Sequence, residues 1–96
     1  MTYEELRGAL DLFVLPERVT LAAIRDRYRW LVKECHPDLH EGADDDRIRR
    51  ITAAYGILRA YCDGYTFSFS QEEFWNQNPE ERIRQQFADA PLWGSR

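Results

Sequence analysis

Two apolar stripes of matching spacing, placed either side of a connection that opens with His36-Pro37-Asp38, constrain this chain more than any other feature. Leu21, Ile24, Tyr28, Leu31 and Cys35 recur every three or four residues, and so do Ile48, Ile51, Tyr55, Leu58 and Cys62. That interval puts each set on one side of an α-helix. Two such stripes joined by a short connection call for an antiparallel hairpin that closes seam on seam. Pro37 cannot extend the first helix and biases His36 away from helical backbone, while Asp44, Asp45 and Asp46 bring negative charge to the start of the second. Thr20 is the start signal of the first helix. Asp63-Gly64 is the stop of the second, with the glycine expected in the left-handed region. Gly56 costs about 1 kcal/mol against alanine inside that helix, and packing must override it.

Ahead of the hairpin, Thr2 and Glu5 have capping-box spacing, and Tyr3, Leu6, Leu10 and Phe13 step at helical intervals up to a break at Pro16. Beyond Gly64 the character changes. Tyr65 to Ser70 alternates aromatic with small polar residues, and two helix-start signatures follow, Ser70 with Glu73 and Asn78-Pro79 with Glu81. These predict a short helix over 71–76 and a fuller one from Pro79 to Asp89. The expected organisation is a helical domain over 1–64 and an aromatic-rich extension over 65–96 that packs on it. Within the extension, Phe67, Phe69, Phe74, Trp75, Phe87 and Trp93 are expected to cover a small core more readily than to grip another protein.

At 96 residues the chain has room for one small domain. Its net charge of -4 and pI near 5.1 argue against a generalised nucleic-acid binder that works by neutralising phosphates. No run approaches the roughly 18 apolar residues of a spanning helix, and no signal peptide is recognisable, so a soluble cytoplasmic protein is expected. Cys35 and Cys62 are too few for a zinc ribbon or a disulfide framework and fall on the apolar stripes, where small buried hydrophobes are the better reading. A metal site joining Cys35, His36, His40 and Cys62 does not suit the layout, because Cys62 belongs at the far end of its helix, about 20 Å of helical rise from Ile48. Adjacent Cys35 and His36 point in different directions on a helix, which disfavours a nucleophile and base pair. With no phosphate loop, paired acid site or cofactor motif, the chain is expected to need no cofactor or metal and not to be an enzyme.

The chemistry lies on the helix before the connection. Arg25, Arg29 and Lys33 are spaced by four and form a stripe beside the apolar one. From Leu21 to Cys35 there are four basic residues against two acidic ones, a local excess of positive charge in an acidic chain. Such a run is commonly a solvated face; next to an outward His-Pro-Asp turn it reads as a docking surface. Pro37 narrows the turn's conformations, so less entropy is lost on docking, and Asp38 can accept two hydrogen bonds from a guanidinium. For His36, a hydrogen bond that stiffens the turn and direct contact with a partner are equal readings.

Residues 3 to 62 resemble the J-domain of DnaJ-type co-chaperones. The match is carried by Ile24-Arg25-Asp26-Arg27-Tyr28-Arg29-Trp30-Leu31-Val32-Lys33, then His36-Pro37-Asp38, then Ile51-Thr52-Ala53-Ala54-Tyr55-Gly56-Ile57-Leu58. The resemblance implies an all-α fold in which helices two and three form the hairpin, helix one packs across it, and one or two short helices follow. It also implies a DnaK-type ATPase chaperone as partner. Arg25, Arg29 and Lys33 would be its electrostatic docking face, Tyr28 a packing and contact residue, and His36, Pro37 and Asp38 the trigger of its ATP hydrolysis. In the family the matching carboxylate reaches an arginine of the partner near its interdomain linker.

Three departures qualify that resemblance. Trp30 stands where many J-domains have another basic residue; it is expected to pack under the carboxyl-terminal segment more readily than to contact the partner. Asp26 and Glu34 dilute the basic face. The basic fourth helix, the glycine-phenylalanine linker and the zinc module are missing, which points to a minimal class with a specialised extra element for a client or adaptor protein. Pro91-Leu92-Trp93-Gly94 reads as a latch or a docking peptide. The alternatives are a degenerate J-like scaffold that binds without stimulating hydrolysis and, less favoured by charge and loop length, a helical DNA reader.

Overall fold

The computed structural model describes residues 1–35 and 45–89, and all the regular structure among them is helical: α1 (Tyr3–Leu12), α2 (Leu21–Cys35), α3 (Asp45–Asp63), α4 (Gln71–Gln77) and α5 (Pro79–Asp89). The chain divides into two compact units, Met1–Tyr65 and Thr66–Arg96. The start signals work as hydrogen bonds. Thr2 Oγ1 accepts from the Glu5 amide, Thr20 Oγ1 from the Ala23 amide and Ser70 Oγ from the Glu73 amide, each at 3.1 Å. Each oxygen satisfies an amide that the first helical turn leaves without a partner.

In the first unit α3 is the central element. Both α1 and α2 pack on it, and they make no comparable helix-to-helix contact with each other. Ile24 and Leu58 line one cavity, and four residues further along α2 the Tyr28 ring stacks on Tyr55, three residues back on α3. Contacts that advance on one helix while retreating on the other define an antiparallel pair. The buried core is Ala9, Phe13, Ile24, Leu31, Cys35, Ile51, Ala54 and Leu58. Phe13 and Ile51 are enclosed almost completely, and burial of such side chains stabilises the fold by about 1.5–3 kcal/mol each. Tyr3 is exposed, although its spacing suggested the buried face of α1.

Two helix ends depart from expectation. Gly64 closes α3 with its amide on the Ala60 carbonyl at 3.1 Å, yet its backbone is not in the left-handed region. That conformation occurs instead at Val14, where φ is 54°. Past the α1 cap at Phe13, the Val14 amide donates to Asp11 and the Leu15 amide reaches back to Leu10, at 3.0 and 3.2 Å. This crossed pair is a Schellman motif whose left-handed position ordinarily holds glycine. Leu10 and Leu15 both pack against the core, so burial holds a β-branched residue where its own backbone preference would not put it.

In the second unit, Asn78 joins α4 to α5. Its side-chain amide donates to the Phe74 carbonyl at 3.0 Å, and its own carbonyl accepts from Glu81 at 3.0 Å. The Arg82 guanidinium lies over the Trp75 ring at 5.4 Å. Among the described residues from 66 onward none is buried, and Phe69 is 95% exposed; Trp93, counted with these aromatics above, lies outside the described residues. Two seven- to eleven-residue helices are too short to enclose a ring between them.

Candidate functional site

Arg25, Arg29 and Lys33 are all exposed along α2, as their spacing beside the buried Ile24-Leu31-Cys35 stripe requires. They are not equally available. Asp26 Oδ1 accepts from Arg29 Nη1 at 2.7 Å within the same helix, and a carboxylate arriving from outside would compete with it. Because both side chains are largely solvated, that pair is worth about 1 kcal/mol or less. Arg27, which also contributes to the local positive charge, lies over the ring of Trp30 at 5.6 Å. Trp30 itself is 52% exposed.

Tyr28 is half-buried and belongs to a set of near-parallel rings. It stacks on Tyr55 at 4.0 Å with 5° between planes, and lies parallel to Phe13 at 6.5 Å. Its ring thus ties α2 to α3 and to the end of α1. At the same edge, the Tyr55 hydroxyl accepts from Arg59 Nη1 over a long 3.5 Å. Arg59 and then Arg25 hold the phenol pKa below its ordinary 10.0, against the opposing effect of partial burial. The Arg59 Nε faces Asp63 Oδ1 at 3.5 Å. Sequence reading missed this group, although Tyr55, Arg59 and Asp63 step by four along one helix face, a signal that the amino-acid order alone carries.

His36, Pro37 and Asp38, for which the resemblance implies a trigger role, lie outside the described residues, as does His40. The helices that flank them end at Cys35 and begin at Asp45, at the same end of the antiparallel pair. Cys35 is buried and Cys62 partly buried, both as free thiols. Among the described residues no group of three or more histidine, cysteine, aspartate or glutamate side chains is placed to hold a metal ion. A largely apolar cavity of about 230 Å³ between α1 and α3 is lined by Leu6, Leu10, Val19, Ile24, Leu58 and Tyr61 among others, with the Arg7–Glu17 ion pair, 3.1 Å long, beside it. No described helix is long and apolar enough to cross a membrane.

Over 57 residues the chain is 35% identical to a chaperone protein DnaJ of Synechococcus elongatus; the match takes in 57% of this chain and 20% of that protein. The chain thus spans about a fifth of the length of the curated relative it matches. No family model and no solved structure matches it. The similarity to DnaJ and the all-helical architecture support a J-domain-like relationship.

Proposed function

We propose that this chain is a J-domain co-chaperone, which docks on a DnaK-type ATPase chaperone and stimulates its ATP hydrolysis through His36-Pro37-Asp38. The observation that carries the reading is the 57-residue similarity to DnaJ, and the exposure of Arg25, Arg29 and Lys33 on one side of α2 supports it. The chain supplies no catalytic group. It acts on another enzyme, with no cofactor or metal of its own, in the cytoplasm, and without binding nucleic acid or membrane.

The division of labour follows from the chemistry of the side chains. Exposed cations on a rigid helix attract an acidic surface and orient it, an effect screened over about 10 Å at 0.1 M salt. The carboxylate of Asp38 then pairs with a guanidinium of the partner, a bidentate contact that needs charge and planar geometry together. Tyr28 serves this face mainly by fixing α2 against α3 through its stack with Tyr55. Residues 65–96 are the specialised element, which recruits a client or adaptor protein.

Single-turnover ATP hydrolysis by a DnaK-type chaperone tests the proposal. The parent is expected to accelerate it, and Asp38→Asn or His36→Gln to abolish most of the acceleration while the far-ultraviolet helical signal is unchanged. Equal stimulation by parent and both variants would remove the trigger assignment. Binding without stimulation by the parent would make the chain a scaffold instead.

A further inference from the structure

The second unit leaves its apolar side chains outside. Among the described residues of α4 and α5, Phe74, Ile83 and Phe87 are each between 51% and 58% exposed. Ile83 and Phe87 lie one turn apart on α5, and Glu80, three residues ahead of Ile83, continues the same side, so apolar surface and an exposed carboxylate form one stripe. From Gln71 to Asp89 the chain carries five acidic residues and two basic ones. Both basic residues are engaged within the unit. Arg82 lies over the Trp75 ring at 5.4 Å, and Arg84 Nη2 meets Glu81 Oε1 at 3.3 Å. What α4 and α5 offer to another molecule is therefore apolar surface accompanied by the exposed carboxylates of Glu72 and Glu80.

We infer that the Glu80-Ile83-Phe87 stripe binds a short basic amphipathic segment of another protein, with the segment's apolar side chains on Ile83 and Phe87 and its lysine or arginine residues toward Glu80. This deepens the reading of residues 65–96 as the element that recruits a client or adaptor protein, and rests on it. Size and charge select that occupant. Even taken together, Phe74, Ile83 and Phe87 expose roughly 300 Å², given the area of such side chains. A stable interface between folded proteins takes about 800 Å² from each partner, so the stripe suits a segment and not a second domain. An anionic membrane surface or a nucleic acid would be repelled by the same carboxylates. A second copy docked about a twofold axis would bring together two surfaces of the same negative sign. An amphipathic helix with cations beside its apolar anchors meets both parts of the stripe at once. Ile83 and Phe87 then supply the hold, and Glu80 supplies orientation and salt dependence.

The test is titration calorimetry of the full chain, at several salt concentrations, with two short synthetic peptides that carry leucines at helical spacing, one filled out with lysine and the other with glutamate. The lysine peptide is expected to bind about tenfold more tightly than the glutamate peptide and to shift the amide resonances of α4 and α5. Phe87→Ala is expected to weaken its binding about fivefold with the salt slope kept, and Glu80→Gln to weaken it about twofold to threefold with a flatter slope. Both positions are exposed, and thermal melting verifies that each variant folds. Equal binding of the two peptides, parent-like binding by Phe87→Ala, or shifts confined to α1, α2 and α3 would overturn the assignment. So would sedimentation of the chain with phosphatidylcholine or phosphatidylglycerol vesicles, or a dimer that Phe87→Ala dissociates, since each would put a different occupant on the stripe. Stimulation of a DnaK-type chaperone by the parent is measured alongside. If the parent stimulates but does not bind the lysine peptide, the stripe is wrongly assigned and the co-chaperone reading stands; if it binds the peptide but does not stimulate, the co-chaperone reading falls instead.

Discussion

Val14 shows how much a single residue can resist its own preference. A β-branched side chain at a φ of 54° is strained by about 1–3 kcal/mol, and here the side chain is 75% exposed, so it recovers little by packing. Val14→Gly is therefore expected to stabilise the protein by about 1 kcal/mol, read as a melting temperature higher by about 4–8 °C. No change on substitution would mean that the Leu10 and Leu15 contacts do not impose the strain. Nothing in the sequence near Val14 signals a left-handed cap, whereas Asp63-Gly64 does and does not adopt one. Local propensity is worth about 1 kcal/mol, and the burial of two leucines outweighs it. Tyr28 lies at the same scale. Its place on the stripe was legible from spacing, but its stacking partner was not, because Tyr55 reaches it only once the two helices take a particular register.

Among the elements, α3 is the one on which the others depend. It presents Ile51, Ala54 and Leu58 to the core and receives both α1 and α2. Gly56 faces outward from it, exposed, and a Cβ built there would meet no atom within 4 Å. The glycine is thus not needed for close packing, and Gly56→Ala is expected to stabilise α3 by about 1 kcal/mol, measured as a higher denaturant midpoint with unchanged slope. A loss of stability would show that the position is not open to a side chain. Helix positions were the most legible part of the fold. Thr2, Thr20 and Ser70 each cap as their type and spacing indicated, because a cap is decided by three or four consecutive residues.

At the level of the whole molecule, every buried residue among those described falls between Ala9 and Leu58. A chain cut after Tyr65 is accordingly expected to remain helical and to melt cooperatively, with a sigmoidal ellipticity transition at 222 nm. A broad, gradual melt would locate essential stability in residues 66–96. The second unit has capped helices and a cation over a tryptophan, but exposes Phe67, Phe69, Phe74, Ile83 and Phe87.

What the amino-acid order by itself determined is the set of helices, their capping residues, the apolar seams of the hairpin and the basic stripe of Arg25, Arg29 and Lys33, because each depends on residues within one or two turns of one another. Only the tertiary structure decided that α3 is central, that Val14 and not Gly64 takes the left-handed cap, that Asp26 occupies Arg29, and that Tyr28 stacks on Tyr55. The stack of Tyr28 on Tyr55 needs the register of two helices, and the strained cap needs leucines buried against a core, so neither is contained in any local stretch of sequence.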